Sequence, residues 1–128
     1  MKPNTSITGD WQQGNNMIQV KLSMIFFEED GNRIVYCPAL DLSGYGNNES
    51  EAFESFKMTL GEYFNYTVHK GTLAKDLKSM GWTVKSRHKK MVPPSMQRLL
   101  SENENFSRIF NNHAYRKFDQ VFDIPATA

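Results

Sequence analysis

Residues 34–64, IVYCPALDLSGYGNNESEAFESFKMTLGEYF, decide the fold. An apolar run enters a turn carrying Gly44, Gly46 and paired asparagines, and an amphipathic helix begins at Asn48. The Asn48 side-chain oxygen can accept from the free amides of the first helical turn, and Glu51, three places on, can reach back to the cap. Glu49, Glu51 and Glu54 put negative charge at the positive end of the helix dipole. Ala52, Phe53, Phe56, Leu60, Tyr63 and Phe64 recur at helical spacing, so one aromatic side must be buried, while Glu54, Lys57, Gly61, Glu62 and Asn65 form the other. A helix this one-sided needs a sheet or another helix beneath it.

Upstream, Ile18, Val20, Leu22, Met24 and Phe26 alternate with Gln19, Lys21 and Ser23, the two-residue period of a half-buried strand. Ile25 and Phe27 interrupt the polar side, which implies that both faces become covered near the end of this strand. Asp30-Gly31 between apolar runs signals a hairpin, so the next strand, Arg33 to Tyr36 or Cys37, should return antiparallel. Pro38 has no amide donor and should end that ladder. A short third strand over Leu42–Tyr45 leads to the helix, and a tight turn accounts for the Gly44-Tyr45-Gly46 pattern. Residues 1–16, rich in Asn, Gln, Gly and Thr with Trp11 as their large anchor, read as a flexible leader.

Downstream, His69, Lys70 and Gly71 suit a helix C-terminus. Thr72 should cap a second, short helix through Leu73, Leu77 and Met80, closed by Gly81. Trp82, Val84, Met91 and Val92 bracket a basic strand or hairpin that Pro93 and Pro94 stop. Met96, Leu99 and Leu100, then Phe106, Ile109 and Phe110, mark two short helical stripes. Phe118, Phe122 and Ile124 mark a final strand ending at Pro125, which could equally cross to a partner subunit. The expected class is α+β: a domain over residues 17–92 with a three-stranded antiparallel sheet, a long helix and a further strand, then a short helical C-terminal extension, 93–128, that ends in a strand and could form a dimer.

At 128 residues the chain is long enough to bury a core without staples. The single cysteine, Cys37, excludes an internal disulfide framework and favours a cytoplasmic setting. No run of about eighteen apolar residues offers a membrane span, and residues 1–16 lack the apolar core of a secretory signal. The net charge of +1 hides an asymmetry. Residues 1–64 carry four lysines or arginines against nine aspartates or glutamates, and residues 65–128 carry eleven against five. An acidic half followed by a basic half fits pairing between parts of an assembly, plain solvation, or a nucleic-acid surface.

No catalytic constellation stands out. His69, His88 and His113 fall in three separate settings, and a histidine becomes a base only with a matched partner. GxGxxG, P-loop and HExxH patterns are absent, so no cofactor and no metal are expected. Asp30, Asp41 and the glutamates at the helix start could gather at one sheet end as a nuclease metal site would require, but a hairpin turn and helix capping account for them. The basic segment Lys85, Arg87, His88, Lys89, Lys90 is the candidate for nucleic acid, with Trp82 offering a stacking face. The same charges would also guard an exposed strand edge.

The segment Cys37–Phe53, CPALDLSGYGNNESEAF, resembles the HicB family of antitoxins, whose members carry a Pro-acid-Leu stretch, a small turn, a polar cap and an acid-acid-Ala helix start. Pro38, Leu40 and Asp41 match the first part, Gly46 and Asn48 the turn and cap, and Glu51 and Ala52 the helix start. With the preceding hairpin and the Leu73–Trp82 element, the resemblance covers roughly residues 17–84. It implies a truncated RNase H-like fold without catalytic carboxylates, and a cytoplasmic, non-enzymatic bacterial protein of a toxin–antitoxin system that binds a small HicA-like RNA-cleaving toxin. It also implies, for many members, a C-terminal DNA-binding element. A ribbon-helix-helix element needs a strand before two helices, whereas this tail reads helix, helix, strand. The expectation is therefore an antitoxin-like homodimer or higher homo-oligomer, and the alternatives are a transcriptional regulator that binds nucleic acid through 85–90 or an orphan dimeric interaction module.

Overall fold

In the computed structural model, residues 6–7, 17–85 and 90–126 are described. Their elements run β1 (Ser6–Ile7), β2 (Met17–Glu29), β3 (Asn32–Cys37), β4 (Leu42–Gly46), α1 (Glu49–Lys70), α2 (Leu73–Ser79), β5 (Thr83–Lys85), β6 (Lys90–Val92), α3 (Met96–Glu102), α4 (Glu104–Asn112) and β7 (Tyr115–Pro125). The hairpin between β2 and β3 forms as its sequence demands: Asp30 and Gly31 take φ of 53° and 81°, the paired left-handed residues of a two-residue turn. Arg33 then faces Glu28, and Tyr36 faces Ile25. β3 ends at Cys37, immediately before Pro38.

One sheet has the order β1-β7-β2-β3-β4, and β5 and β6 form a second, two-stranded sheet. Within the first, β7 pairs antiparallel with β2 along its whole length, from Tyr115 opposite Phe27 to Pro125 opposite Met17. The α+β class holds. The basic strand or hairpin expected after the long helix is the β5–β6 hairpin, which stands apart from the main sheet, and the expected final strand, β7, from the stretch 93–128, takes the place beside β2. β5 has three residues and half-buries only Val84, whereas β7 brings Phe122 and Ile124, both fully buried. The strand with the larger apolar side gains more by joining the sheet. Of the expected leader, Ser6–Ile7 lies parallel to β7 at Val121 and Phe122; Trp11 falls outside the described residues.

The two faces of the sheet are covered by different helices. Val20, Leu22, Met24, Phe122 and Ile124 point to one face, where α1 lays its buried row of Ala52, Phe56, Leu60, Phe64 and Thr67. Phe56 meets Phe122 edge-on at 6.0 Å, Phe53 meets Phe118 at 6.0 Å, and Phe118 stacks on Phe26 at 4.7 Å. Ile25, Phe27, Ile34 and Tyr36 point to the other face. There α4 supplies the buried Phe106 and Ile109, which is why the polar side of β2 turns apolar at Ile25.

α1 sits unusually close to the sheet. A Cβ on Gly44 would stand 2.3 Å from the Ala52 carbonyl oxygen and from the Phe56 nitrogen, and one on Gly46 would stand 2.5 Å from Glu51 Cβ. Neither glycine has positive φ. They are strand residues kept bare for the approach of the helix, which corrects their reading as turn glycines. Asn48 caps α1 by accepting from the Glu51 amide at 2.8 Å, and Gly71, at φ 70°, ends it with its N–H on the Thr67 and Val68 carbonyls. Thr72 occupies the cap position of α2, but its hydroxyl makes no capping bond. Among the described residues, no helix is long and apolar enough to cross a membrane.

Gly44→Ala is expected to destabilise the fold by about 2 kcal/mol or more, because backbone on both sides of the new methyl leaves nothing flexible to yield. Ser43→Ala, one position along the same strand, should stay within about 0.5 kcal/mol of the parent. Urea unfolding monitored by circular dichroism compares the two, and equal midpoints would contradict this seating of the helix.

Candidate functional site

The turn from β3 to β4 is built to be buried. Pro38, Ala39 and Leu40 are in the core, the Leu40 N–H returns to the Cys37 carbonyl at 3.3 Å, and the Trp82 indole N–H donates to the Ala39 carbonyl at 2.8 Å. The turn closes at Asp41, whose φ of 54° is a left-handed conformation that aspartate tolerates better than most residues. This geometry brings the Asp41 carboxylate to the Tyr36 hydroxyl, which donates to it. Asn105 Nδ2 donates to the same carboxylate oxygen at 3.3 Å, and Asn103 Nδ2 donates to the Tyr36 hydroxyl oxygen at 2.8 Å and to the Pro38 carbonyl at 3.3 Å. Asn103 also stands between α3 and α4, and its side-chain oxygen caps α4 by accepting from the Phe106 amide at 3.0 Å.

A cleft of about 390 Å³ opens beside this joint, lined among others by Asp41, Arg98, Glu102, Asn103 and Asn105. Its groups are largely engaged with the chain itself. Arg98 binds Glu102 at 3.1 Å and the Gly81 carbonyl at 3.3 Å, and the hydroxyl of Ser79, which also lines the cleft, donates to the Asp76 carbonyl at 2.6 Å. Burial, and then the hydrogen bond to Asp41, push the Tyr36 hydroxyl pKa well up, so this group stays protonated at neutral pH. Cys37 is fully buried and its thiol is pushed up to about 12 by burial, which leaves almost no nucleophilic thiolate.

The carboxylates weighed for metal do not converge. Asp30 lies at the β2–β3 turn and Asp41 beyond the opposite end of β3, while Glu49 lies at the α1 start and pairs with Arg116. Among the described residues, no three His, Cys, Asp or Glu side chains are grouped to hold an ion. His69 hydrogen-bonds the Asn65 carbonyl. His113 is mostly covered, packing on Phe27 at 5.2 Å and standing 3.6 Å from Glu29, which also binds Arg108 at 3.1 Å. Of the basic segment, Lys85 and Lys90 are exposed and directly opposite one another where β5 and β6 end. Arg87, His88 and Lys89 lie outside the described residues. Trp82 is buried, so it offers no stacking face, because the bond from its indole to Ala39 turns the ring into the core.

Met58, on the side of α1 away from the sheet, is 73% exposed, in the company of Glu51, Glu54 and Glu62. Helical spacing alone places it there, four residues from Glu54 and from Glu62 and opposite the Phe56–Phe64 row.

Asn103→Ala removes the cap of α4 and two donors at once and should cost about 1–2 kcal/mol. Hydrogen exchange should speed up across α3 and α4 while the amides of α1 keep their protection, and uniform acceleration would argue against a local anchor. No family model, curated protein or solved structure matches this chain.

Proposed function

We propose that the chain is a HicB-like antitoxin, a cytoplasmic, non-enzymatic binding protein that neutralises a small HicA-type RNA-cleaving toxin by covering its RNA-binding face. The observation that carries a binding role is the internal closure of the polar cluster at the cleft. Tyr36, Asp41, Asn103 and Asn105 bind one another, and in doing so hold α3 and α4 to the sheet. A group committed to structure in this way is poorly placed to act as a general base or nucleophile. The acidic half of the chain, which includes most of α1 and its first-turn glutamates, then supplies charge complementary to a basic toxin, and such charge speeds encounter and selects the partner.

Binding of nucleic acid is a second reading, favoured by one observation. Lys85 and Lys90 face each other across the ends of β5 and β6, and like charges in direct opposition destabilise a strand pair unless a polyanion neutralises them.

Light scattering and an RNA-cleavage assay test the first reading with the product of a short, basic reading frame adjacent to this gene. A stable complex in which cleavage stops is expected, and cleavage undiminished by excess of this protein would end the antitoxin reading. For the second, binding to a labelled DNA duplex should fall steeply with salt, and Lys85→Ala with Lys90→Ala should flatten that slope by about two. Affinity unchanged by salt or by the double substitution would exclude it.

A further inference from the structure

The outward side of α1 is chemically unlike an ordinary solvated helix face. Three of the seven large apolar side chains exposed among the described residues lie on this one helix: Met58 at 73%, Tyr66 at 64% and Val68 at 38%. Met58 is at the middle of the outward side, because Glu51 and Asn65 stand seven residues before and after it and Glu54 and Glu62 stand four before and after. On a helix these spacings place side chains on the same face in successive turns. The result is a large flexible apolar knob ringed by carboxylates.

Gly61 adds an independent sign. It lies in the interior of α1, three residues after Met58, where glycine is the least favourable residue after proline because it leaves the helix backbone unrestrained. By spacing it belongs to the polar side of the helix, and it is half-buried there.

Charge selects the occupant. The N-terminal two-thirds of this face carries Glu51, Glu54 and Glu62, and Lys57, bound to Glu54, lies to its side. Two copies of this chain pairing through the face would bring these carboxylates together, so a second copy is a poor match. We infer that the outer face of α1 is a docking surface for an amphipathic helix of a basic partner, with Met58 entering its apolar ridge and Glu51, Glu54 and Glu62 meeting its flanking lysines or arginines. This deepens the antitoxin reading and rests on it for the identity of the partner. Methionine suits the task, since its unbranched thioether adapts to the partner surface it meets, and an apolar anchor inside a charged rim is the usual anatomy of a binding hot spot.

Two probes separate the surface from the partner's identity: the product of the adjacent basic reading frame, and a synthetic helical peptide with leucines in a coiled-coil seam and lysines flanking it. Calorimetry with the full chain should show both binding. Met58→Ala, and separately Glu54→Gln with Glu62→Gln, should weaken each by tenfold or more, while Met58→Leu and the off-face control Val92→Ser should leave affinity within a factor of three. If the peptide binds in this manner and the neighbouring product does not, the surface assignment holds and the antitoxin reading falls. If the neighbouring product binds and Met58→Ala leaves its affinity unchanged, the surface assignment is overturned and the antitoxin reading stands. Failure of both probes to bind overturns the two together.

Discussion

α1 can lie on the sheet only because Gly44 and Gly46 present no side chain where its backbone comes down. Their bareness sets the distance between the layers, and that distance decides which side chains fill the gap. Phe56 and Phe64 fit as fully buried rings, and small Ala52 sits at the closest point. The same approach protects the edge of the sheet. β4 is an outermost strand, and its Tyr45 N–H, which would otherwise face solvent, donates to the Ser55 hydroxyl at 3.2 Å. An edge covered by a helix is a poor template for stray strand pairing. Close packing and edge protection thus follow from two missing Cβ atoms.

The other face of the sheet is held by a different kind of force. α3 and α4 are short helices, seven and nine residues long, too short to persist alone in water. Burial of Leu99, Phe106 and Ile109 gives them apolar adhesion, and the Asn103 side chain gives them register, since it fixes the helix joint to Tyr36 and Pro38 at the sheet's lower end while Arg108 reaches Glu29 at the upper. The exposed ion pair should contribute little on its own. Direction comes mainly from the buried rings and the asparagine. Such a layer delivers the chain to the start of β7 at the correct end of β2, which is what allows the last strand to pair antiparallel.

Much of this was legible locally. Asp30-Gly31, Asn48 with Glu51, and the Phe56–Phe64 row each carry their signal within a few residues, and each forms as the sequence requires. Two features were not legible. The place of β7 beside β2 joins strands nearly a hundred residues apart in the chain, and alternation alone cannot say which of two candidate strands, β5 or β7, buries more. Gly44 looked like a turn residue because the sequence contains no trace of the helix backbone lying across it. At the candidate sites the limit was similar: Trp82 beside a run of lysines looked like a stacking platform, yet its indole N–H is tied to Ala39 far back in the chain, a partner that no spacing rule suggests.

The two sides of α1 answer to different constraints, and the contrast bears on function. The inward side is over-determined: Phe53 meets the rings of Phe56, Phe118 and Phe122, and a methyl on Gly44 collides with the helix backbone. The outward side carries no such obligation at Met58, which is 73% exposed, and lysine or glutamate there would be about as good a helix former and better solvated. Methionine there is a choice that the fold does not need. A residue that lowers solubility or helix propensity without improving packing in its own chain is best explained by packing in another, and the carboxylates around Met58 restrict that other surface to one of opposite charge.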